Sequence, residues 1–271
     1  MITIVTISLN DEVGIQRTFE SLREQNYRDV QHLIIDGGST DGTPVWAAEH
    51  AVFDHTVIIS ERDRGIYDAM NKGLSMATGE LVCFLNSGDQ FANGDILSTI
   101  TESHKKDSWP WAYGFGRMVM SDGRTSAGGR VRRKHSWLRQ TFWSYEICHP
   151  TVFMPPDLAR RLGGFDDRLR IAADYKLMTS AGRVAEPHVF PMVMAVTIEG
   201  GISDLRPADA IREAHKIRVD ILGMTDRAEL LDLVWSKIML VRSLSRRRLS
   251  RFVRRNSSAI DGPPGRARSH N

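Results

Sequence analysis

Short apolar runs separated by amphipathic stretches open the chain. ITIVTISL (2–9), QHLII (31–35), TVIIS (56–60) and ELVCFL (80–85) are rich in β-branched residues and carry few polar ones. That is the pattern of strands covered on both faces in a parallel sheet. Between them the period changes. Asn10 and Asp11 stand where helix caps stand, and Val13, Ile15, Phe19 and Leu22 fit an inward helical face loosely. Thr40 or Asp41 is positioned to cap a helix running through Trp46 and Ala47. IYDAMNKGLSMA (66–77) reads as a helix with Gly79 just past its end as a C-cap, and Ile96, Leu97 and Ile100 mark another. The order β-α-β-α-β-α-β over the first 100 residues predicts an α/β fold, with a mostly parallel central sheet flanked by helices and right-handed crossovers.

The second hundred residues are less regular. YGFGRMVM (113–120) reads as a strand, SDGRTSAGGR (121–130) as a hairpin turn or a loop, and ICHPTVFM (147–154) as a strand ended by Pro155 and Pro156. A helix is expected over 171–182, starting near Asp174, and a late strand over VFPMVMAVTI (189–198), followed by EGGIS. From residue 207 the pattern turns helical, and the last stretch is polar and rich in Gly and Pro. The expected layout is one α/β domain over 1–205, with halves meeting near residue 100. A helical basic region follows over 206–255, then a disordered tail over 256–271.

Composition is that of a globular protein, 41% hydrophobic and 25% charged. Cys83 and Cys148 make no disulfide framework, which favours a cytoplasmic setting. MITIVTISLN is too short and too uncharged for a signal peptide, and no run approaches the ~20 apolar residues of a membrane span. No GxGxxG follows the first strand, so a dinucleotide fold is poorly supported.

Charge changes the picture more than composition does. From Ser236 onward ten Lys/Arg face Asp261 alone, +9 of a net +3, which leaves the first 235 residues at −6. Between Leu230 and Val253, Leu233, Val234, Ile238, Val241, Leu244, Leu249 and Phe252 recur at roughly helical spacing, with arginines in much of the remainder. A basic amphipathic helix of this kind suits an anionic lipid surface, at about 1 kcal/mol per basic residue near it. A helix packed on the body with a solvated Arg face is the plainer alternative. Nucleic acid is disfavoured by the acidic body and the absence of interleaved aromatics.

Two acidic turns carry the chemistry. DGGSTDGT (36–43) and NSGD (86–89) each follow an apolar strand, and in α/β sheets ligands collect at the carboxyl ends of strands. Carboxylates at two such ends suggest a site for a nucleotide and a divalent cation. Asp36 is placed to accept a hydrogen bond from a base N–H, with Thr6 and Ser8 of the first strand lining the same pocket; otherwise Asp36 caps its own turn. Asp89 is the candidate ligand for Mg²⁺ or Mn²⁺, with Asn86 adding a carbonyl or a water-mediated contact. Arg62 and Arg64 are candidates for a phosphate or a ring face. Asp68, Asn71 and Lys72 share one face of the next helix.

In sequence order, SLN (8–10), DGGSTDGT, DRGIYDAMNKG (63–73), TGELVCFLNSGD (78–89), GGFDDRLRIAADYKL (163–177) and EGGIS (199–203) resemble the motifs of glycosyltransferase family 2. The likeness spans about residues 2–205. It is nearest to bacterial members that build exopolysaccharides, O-antigens or glycolipids. It implies the GT-A fold and an inverting, metal-dependent transfer of one sugar from a nucleotide-diphosphate sugar to a lipid-linked or glycolipid saccharide. By that likeness Asp174 is the general base on the acceptor hydroxyl, with Asp166 and Asp167 as runners-up. Thr6, Ser8, Asp36, Arg64, Asn71, Asn86 and His149 fall on the donor side, Asp89 is the metal ligand, and Gly200, Gly201 and Ser203 offer backbone N–H groups to phosphate. Residue by residue, Asp174 is equally read as a helix N-cap and His149 as a structural histidine. The family pattern has an Asp where this chain has Asn86. The Gln-X-X-Arg-Trp motif and membrane helices of processive relatives are absent, which implies one sugar per encounter. The implied setting is cytoplasmic and peripheral on the inner membrane face, with no nucleic acid. A non-catalytic nucleotide-sugar or membrane-surface binding protein is the alternative.

Overall fold

A computed structural model describes residues 1–120, 123–126, 135–142 and 147–257. The first half follows the predicted alternation: β1 (Ile2–Ser8), α1 (Glu12–Arg23), β2 (Val30–Asp36), α2 (Thr43–Glu49), β3 (His55–Ser60), α3 (Ile66–Met76) and β4 (Leu81–Phe84). The second half runs β5 (Gln90–Phe91), α4 (Ile96–Asp107), β6 (Ala112–Val119), β7 (Thr125–Ser126), α5 (Trp137–Phe142), a 3₁₀ turn (His149–Thr151), α6 (Pro156–Arg161), α7 (Ala173–Val184), β8 (His188–Ile198) and α8 (Ile202–Leu205). Two helices, α9 (Pro207–Leu222) and α10 (Asp226–Ser257), end the described chain.

The first sheet is wholly parallel, in the order β3-β2-β1-β4. Its strands are apolar on both sides because both sides are covered. Val5, Ile7, Leu33 and Ile35 face a cluster with Met70, Leu74, Leu177 and Met178, while Ile2, Ile4 and Val30 face Ile96, Leu97 and Ile100. The period of two along each strand thus feeds two cores. The second sheet, β5-β8-β6-β7, is mixed: β6 and β8 are parallel, and β5 and β7 pair antiparallel at its edges.

The stretch read as a strand over 147–154 is instead the 3₁₀ turn followed by Val152–Met154. This piece bridges the sheets, with Met154 paired to Val82 of β4 and Phe153 to Ala112 of β6. Pro150 lies inside the turn and cannot donate to a ladder, which explains the shortened pairing. Gly79 is not the C-cap of α3; Ala77 is. Gly79 is required for another reason, since a Cβ there would lie 2.6 Å from the Thr3 backbone nitrogen. Arg160 satisfies the carbonyls at that helix end, donating to Leu74 at 2.8 Å and Ala77 at 2.6 Å.

Asp11 caps α1 as expected, accepting from the Gly14 N–H at 3.1 Å. Asn10 instead ties the two loops together, its Oδ1 accepting from the Thr40 N–H at 2.9 Å. At α2 the cap position is Gly42, with the Asp41 carboxylate taking the Thr43 N–H at 3.0 Å. β6 and β7 pair antiparallel, and the Met120 N–H donates to the Arg124 carbonyl at 2.8 Å. Residues 121–122 and 127–130 of the SDGRTSAGGR segment and 258–271 of the expected tail lie outside the described residues, while α10 runs through Ser257.

The chain divides into two compact units, Met1–Leu205 and Arg206 onward. Within the second, α9 and α10 are clasped by a buried ionic group. Arg218 donates to both carboxylate oxygens of Asp232 at 2.7 and 3.0 Å and to the Ser236 hydroxyl at 2.6 Å, and His215 sits 2.6 Å from Asp232. Among the described residues no helix is long and apolar enough to cross a membrane.

Candidate active site

The site lies at the carboxyl edge of the parallel sheet. There β1 ends at Ser8, β2 at Asp36 and β4 at Phe84. Beyond β4 the chain enters the NSGD turn, which α1 holds through one residue. The Thr18 hydroxyl donates to the carbonyls of Asp89 (2.8 Å) and Asn86 (3.2 Å) and accepts from the Gly88 N–H (3.0 Å). Ser87 completes the anchoring by donating to the Asp11 carboxylate at 2.7 Å.

Asp89 is half-buried, and burial pushes its carboxyl up to about 7. A carboxyl in that state lacks a compensating positive charge. Asn86 presents a buried Oδ1 with no hydrogen-bond partner among the described residues, and so does the Ser8 hydroxyl on the neighbouring strand end. Each such orphan costs about 1–3 kcal/mol until a partner arrives. The turn therefore fits a divalent cation through oxygen donors, Asp89 and Asn86 Oδ1 being the groups that would hold it. Among the described residues no three His, Cys, Asp or Glu side chains gather as a ready-made metal cage, so such an ion would draw its remaining ligands from substrate and water.

Asp174 stands in the first turn of α7 and lines a narrow apolar pocket with Phe84, His149, Phe165, Leu177 and Met178. It is not the N-cap; Ala172 occupies that position. Its Oδ1 accepts from the Tyr175 N–H at 2.8 Å and from the buried Tyr67 hydroxyl at 3.3 Å. His149 lies in the 3₁₀ turn, its ring 5.8 Å from Phe84 and 5.9 Å from Phe165. Burial lowers its pKa, and Asp174 opposes that shift. The thiol of Cys148 lies next in chain. It is pushed up to about 12, first by burial and then by the negative fields of both Asp89 and Asp174.

The other candidate residues are otherwise engaged. Asp36 is fully buried, and its carboxylate accepts from Gly38 N–H (3.2 Å), Ser39 N–H (2.9 Å), the Ser60 hydroxyl (2.6 Å) and the Ser39 hydroxyl. These bonds hold the DGGST loop at the end of β2. Thr6 sits deeper, buried and 3.0 Å from Nε2 of buried His32. Asn71 spends its whole amide on one residue, donating to the Phe165 carbonyl at 2.7 Å and accepting its N–H at 2.9 Å. This clamp holds a loop that turns at Gly164 (φ +64°), where any Cβ would meet Asn71 Oδ1 at 2.7 Å.

Arg64 is exposed and pairs with Asp68 (2.7 Å) and Asp167 (3.0 Å). Asp166 is unsuited to act as a base. Its hydrogen bonds from Arg168 first, then Lys176, hold its carboxyl well below the usual carboxylate range. Gly200 and Gly201 lie between β8 and α8. Sequence reading missed Thr18 and Tyr67 altogether. Tyr67 lay inside a quoted motif, but no signal linked it to a residue 107 positions away.

The Glycosyl transferase family 2 model matches residues 3–154. The chain belongs to that family. An uncharacterized glycosyltransferase of Mycobacterium tuberculosis is 32% identical to it over 217 residues, 78% of this chain and 79% of that protein. A PGL/p-HBAD biosynthesis glycosyltransferase of Mycobacterium bovis is 28% identical over 177 residues, 65% of this chain and 67% of that one. Among solved structures, S. aureus TarS 1–349 superposes with a TM-score of 0.66 at 18% identity, covering 87% of this chain and 70% of that one. The mannosyltransferase PcManGT from Pyrobaculum calidifontis, solved with GDP-Man and Mn²⁺, gives 0.63 at 18% identity, covering 97% and 76%. The fold is GT-A and the family member is a glycosyltransferase.

Proposed function

We propose that this glycosyltransferase moves one sugar from a nucleotide-diphosphate sugar to a lipid-linked or glycolipid saccharide, with inversion. The observation that carries the reading is a desolvated carboxyl at Asp89 and a second carboxylate at Asp174 whose charges both act on Cys148, with Asp174 lining the apolar pocket beside His149. Asp174 takes the proton from the acceptor hydroxyl, whose oxygen forms the new bond to the anomeric carbon. The bond from that carbon to the diphosphate breaks on the opposite face, and nucleoside diphosphate departs. Ser8 and Asn86, with their unpartnered polar atoms, bind the donor, and His149 borders it from the 3₁₀ turn. Asp89, with Asn86, would hold a divalent cation, which when bound would neutralise charge on the leaving diphosphate. Fold neighbours solved with UDP-GlcNAc or with GDP-Man and Mn²⁺ support a nucleotide-sugar donor, and the PGL/p-HBAD biosynthesis relative supports a glycolipid acceptor.

In this reading α10 serves the acceptor. Leu230, Leu231, Val234, Ile238 and Val241 are exposed along it, and the sequence beyond adds a run of arginines. Together they suit the anionic inner face of a membrane.

The test is transfer of labelled sugar from UDP-GlcNAc, UDP-glucose or GDP-mannose, with Mn²⁺, into the organic-extractable lipid of added bacterial membranes. Asp174→Asn should abolish transfer while UDP or GDP still raises the thermal midpoint. Wild-type turnover in that variant would remove Asp174 from the chemistry.

A further inference from the structure

Resting on Asp174 as the base, we infer that Tyr67 is its positioning residue, selecting which carboxylate oxygen receives the acceptor proton. Asp174 Oδ1 is taken twice, by the Tyr175 N–H at 2.8 Å and the Tyr67 hydroxyl at 3.3 Å. Oδ2 carries no hydrogen bond among the described residues. An oxygen already receiving two protons is the poorer base, so the acceptor proton goes to Oδ2. Bond formation at the anomeric carbon then delivers that proton to a defined atom, while the diphosphate leaves with its electron pair.

The tyrosine is built for the task. It lies in the first turn of α3, is 5% exposed, and its ring stacks on Phe165 at 5.9 Å and 11°. Phe165 is itself fixed by the Asn71 clamp. The hydroxyl is thus aimed by a rigid aromatic pair rather than by a flexible stem. Its 3.3 Å reach is long for a neutral donor, as catalytic contacts often are before substrate binds. The remaining ionisable groups around Asp174 are His149 from the 3₁₀ turn, Cys148 beside it, and Lys176 on α7, the last paired to Asp166. The Asp174 carboxylate takes its hydrogen bonds from Tyr67 and Tyr175.

The experiment is Tyr67→Phe in the full chain, with the labelled-sugar assay run across pH using the donor that serves the wild type. The ring stack survives in this variant. A hydrogen bond to a charged group is worth about tenfold or more. We expect kcat to fall about tenfold and donor KM to stay within twofold. The acid side of the kcat–pH profile should move to higher pH, because a donated hydrogen bond favours the ionised carboxylate. Replacing Tyr67 by 3,5-difluorotyrosine, a stronger donor of the same shape, should move that side the other way, and it decides the matter if the phenylalanine variant folds poorly. An unmoved profile in both variants overturns the inference, even where kcat falls, since packing alone would explain the fall. Asp174→Asn, measured alongside, separates the two claims. If it is inactive while the tyrosine variants behave as wild type, only the tyrosine assignment fails; if it is active, the base assignment fails first.

Discussion

Asn71→Leu distinguishes a residue that holds the site from one that touches the donor. The wild-type amide makes two hydrogen bonds to the backbone of Phe165, at 2.7 and 2.9 Å, and Phe165 is only 2% exposed. Leucine keeps the volume but strands one buried N–H and one buried carbonyl away from water. A net hydrogen bond is worth about 1 kcal/mol, and a stranded buried group costs about 1–3 kcal/mol. The expected loss is therefore about 2–4 kcal/mol. With a urea m-value of about 3 kcal/mol/M, the unfolding midpoint falls by about 1 M. Trp111, fully buried in the same core cluster as Phe165, reports the transition by fluorescence. Because Phe165 stacks on Tyr67 and packs edge-on to His149, turnover should fall with stability. A donor-contact role makes the opposite forecast, an unmoved midpoint with a raised donor KM. That outcome would refute the clamp.

Two further tests follow from ionisation and burial. Burial raises the Asp89 carboxyl from 3.8 to about 7, so metal-free folded protein keeps a proton that the unfolded chain has released. The associated stability is complete below pH 4 and is lost as pH climbs to about 7, amounting to at most about 4 kcal/mol. Asp89→Asn should flatten the unfolding free energy between pH 5 and 8 and abolish thermal stabilisation by Mn²⁺; equal slopes in the two proteins would contradict the desolvation argument. Asp232→Ala leaves Arg218, 3% exposed, buried without its bidentate partner. A loss of about 3–5 kcal/mol is expected, seen as faster amide hydrogen exchange throughout α9 and the start of α10, and unchanged exchange there would show that the ionic group is dispensable.

The first sheet was legible because parallel strands covered on both faces leave continuous apolar runs, and each helix between them carries its own period. The second sheet was less so. β5 and β7 are two residues each, too short for any period, and Val152–Met154 pairs by single bridges after a proline-containing turn. In the site, residue type and place along the chain pointed to Asp89 and the family likeness to Asp174, but a strand end says where a side chain begins and not where it points. Asp36 turns back into its own loop. Thr6, two residues before Ser8, sits about 7 Å below the sheet edge at ~3.3 Å per residue. The family likeness puts Asn71 on the donor side, while its hydrogen-bond partner, Phe165, is 94 positions away. Long-range pairings of that kind leave no local period in the sequence.

The Thr18 hydroxyl, touching Asn86, Gly88 and Asp89 at once, fixes the turn before any ligand arrives. Ordering a loose backbone costs about 1–2 kcal/mol per residue. A four-residue loop that had to freeze around its ligand would charge several kcal/mol against affinity, and this one arrives already frozen. Preorganisation of the diphosphate end of the site therefore resides in a helix residue that makes no contact with the donor in the proposed arrangement.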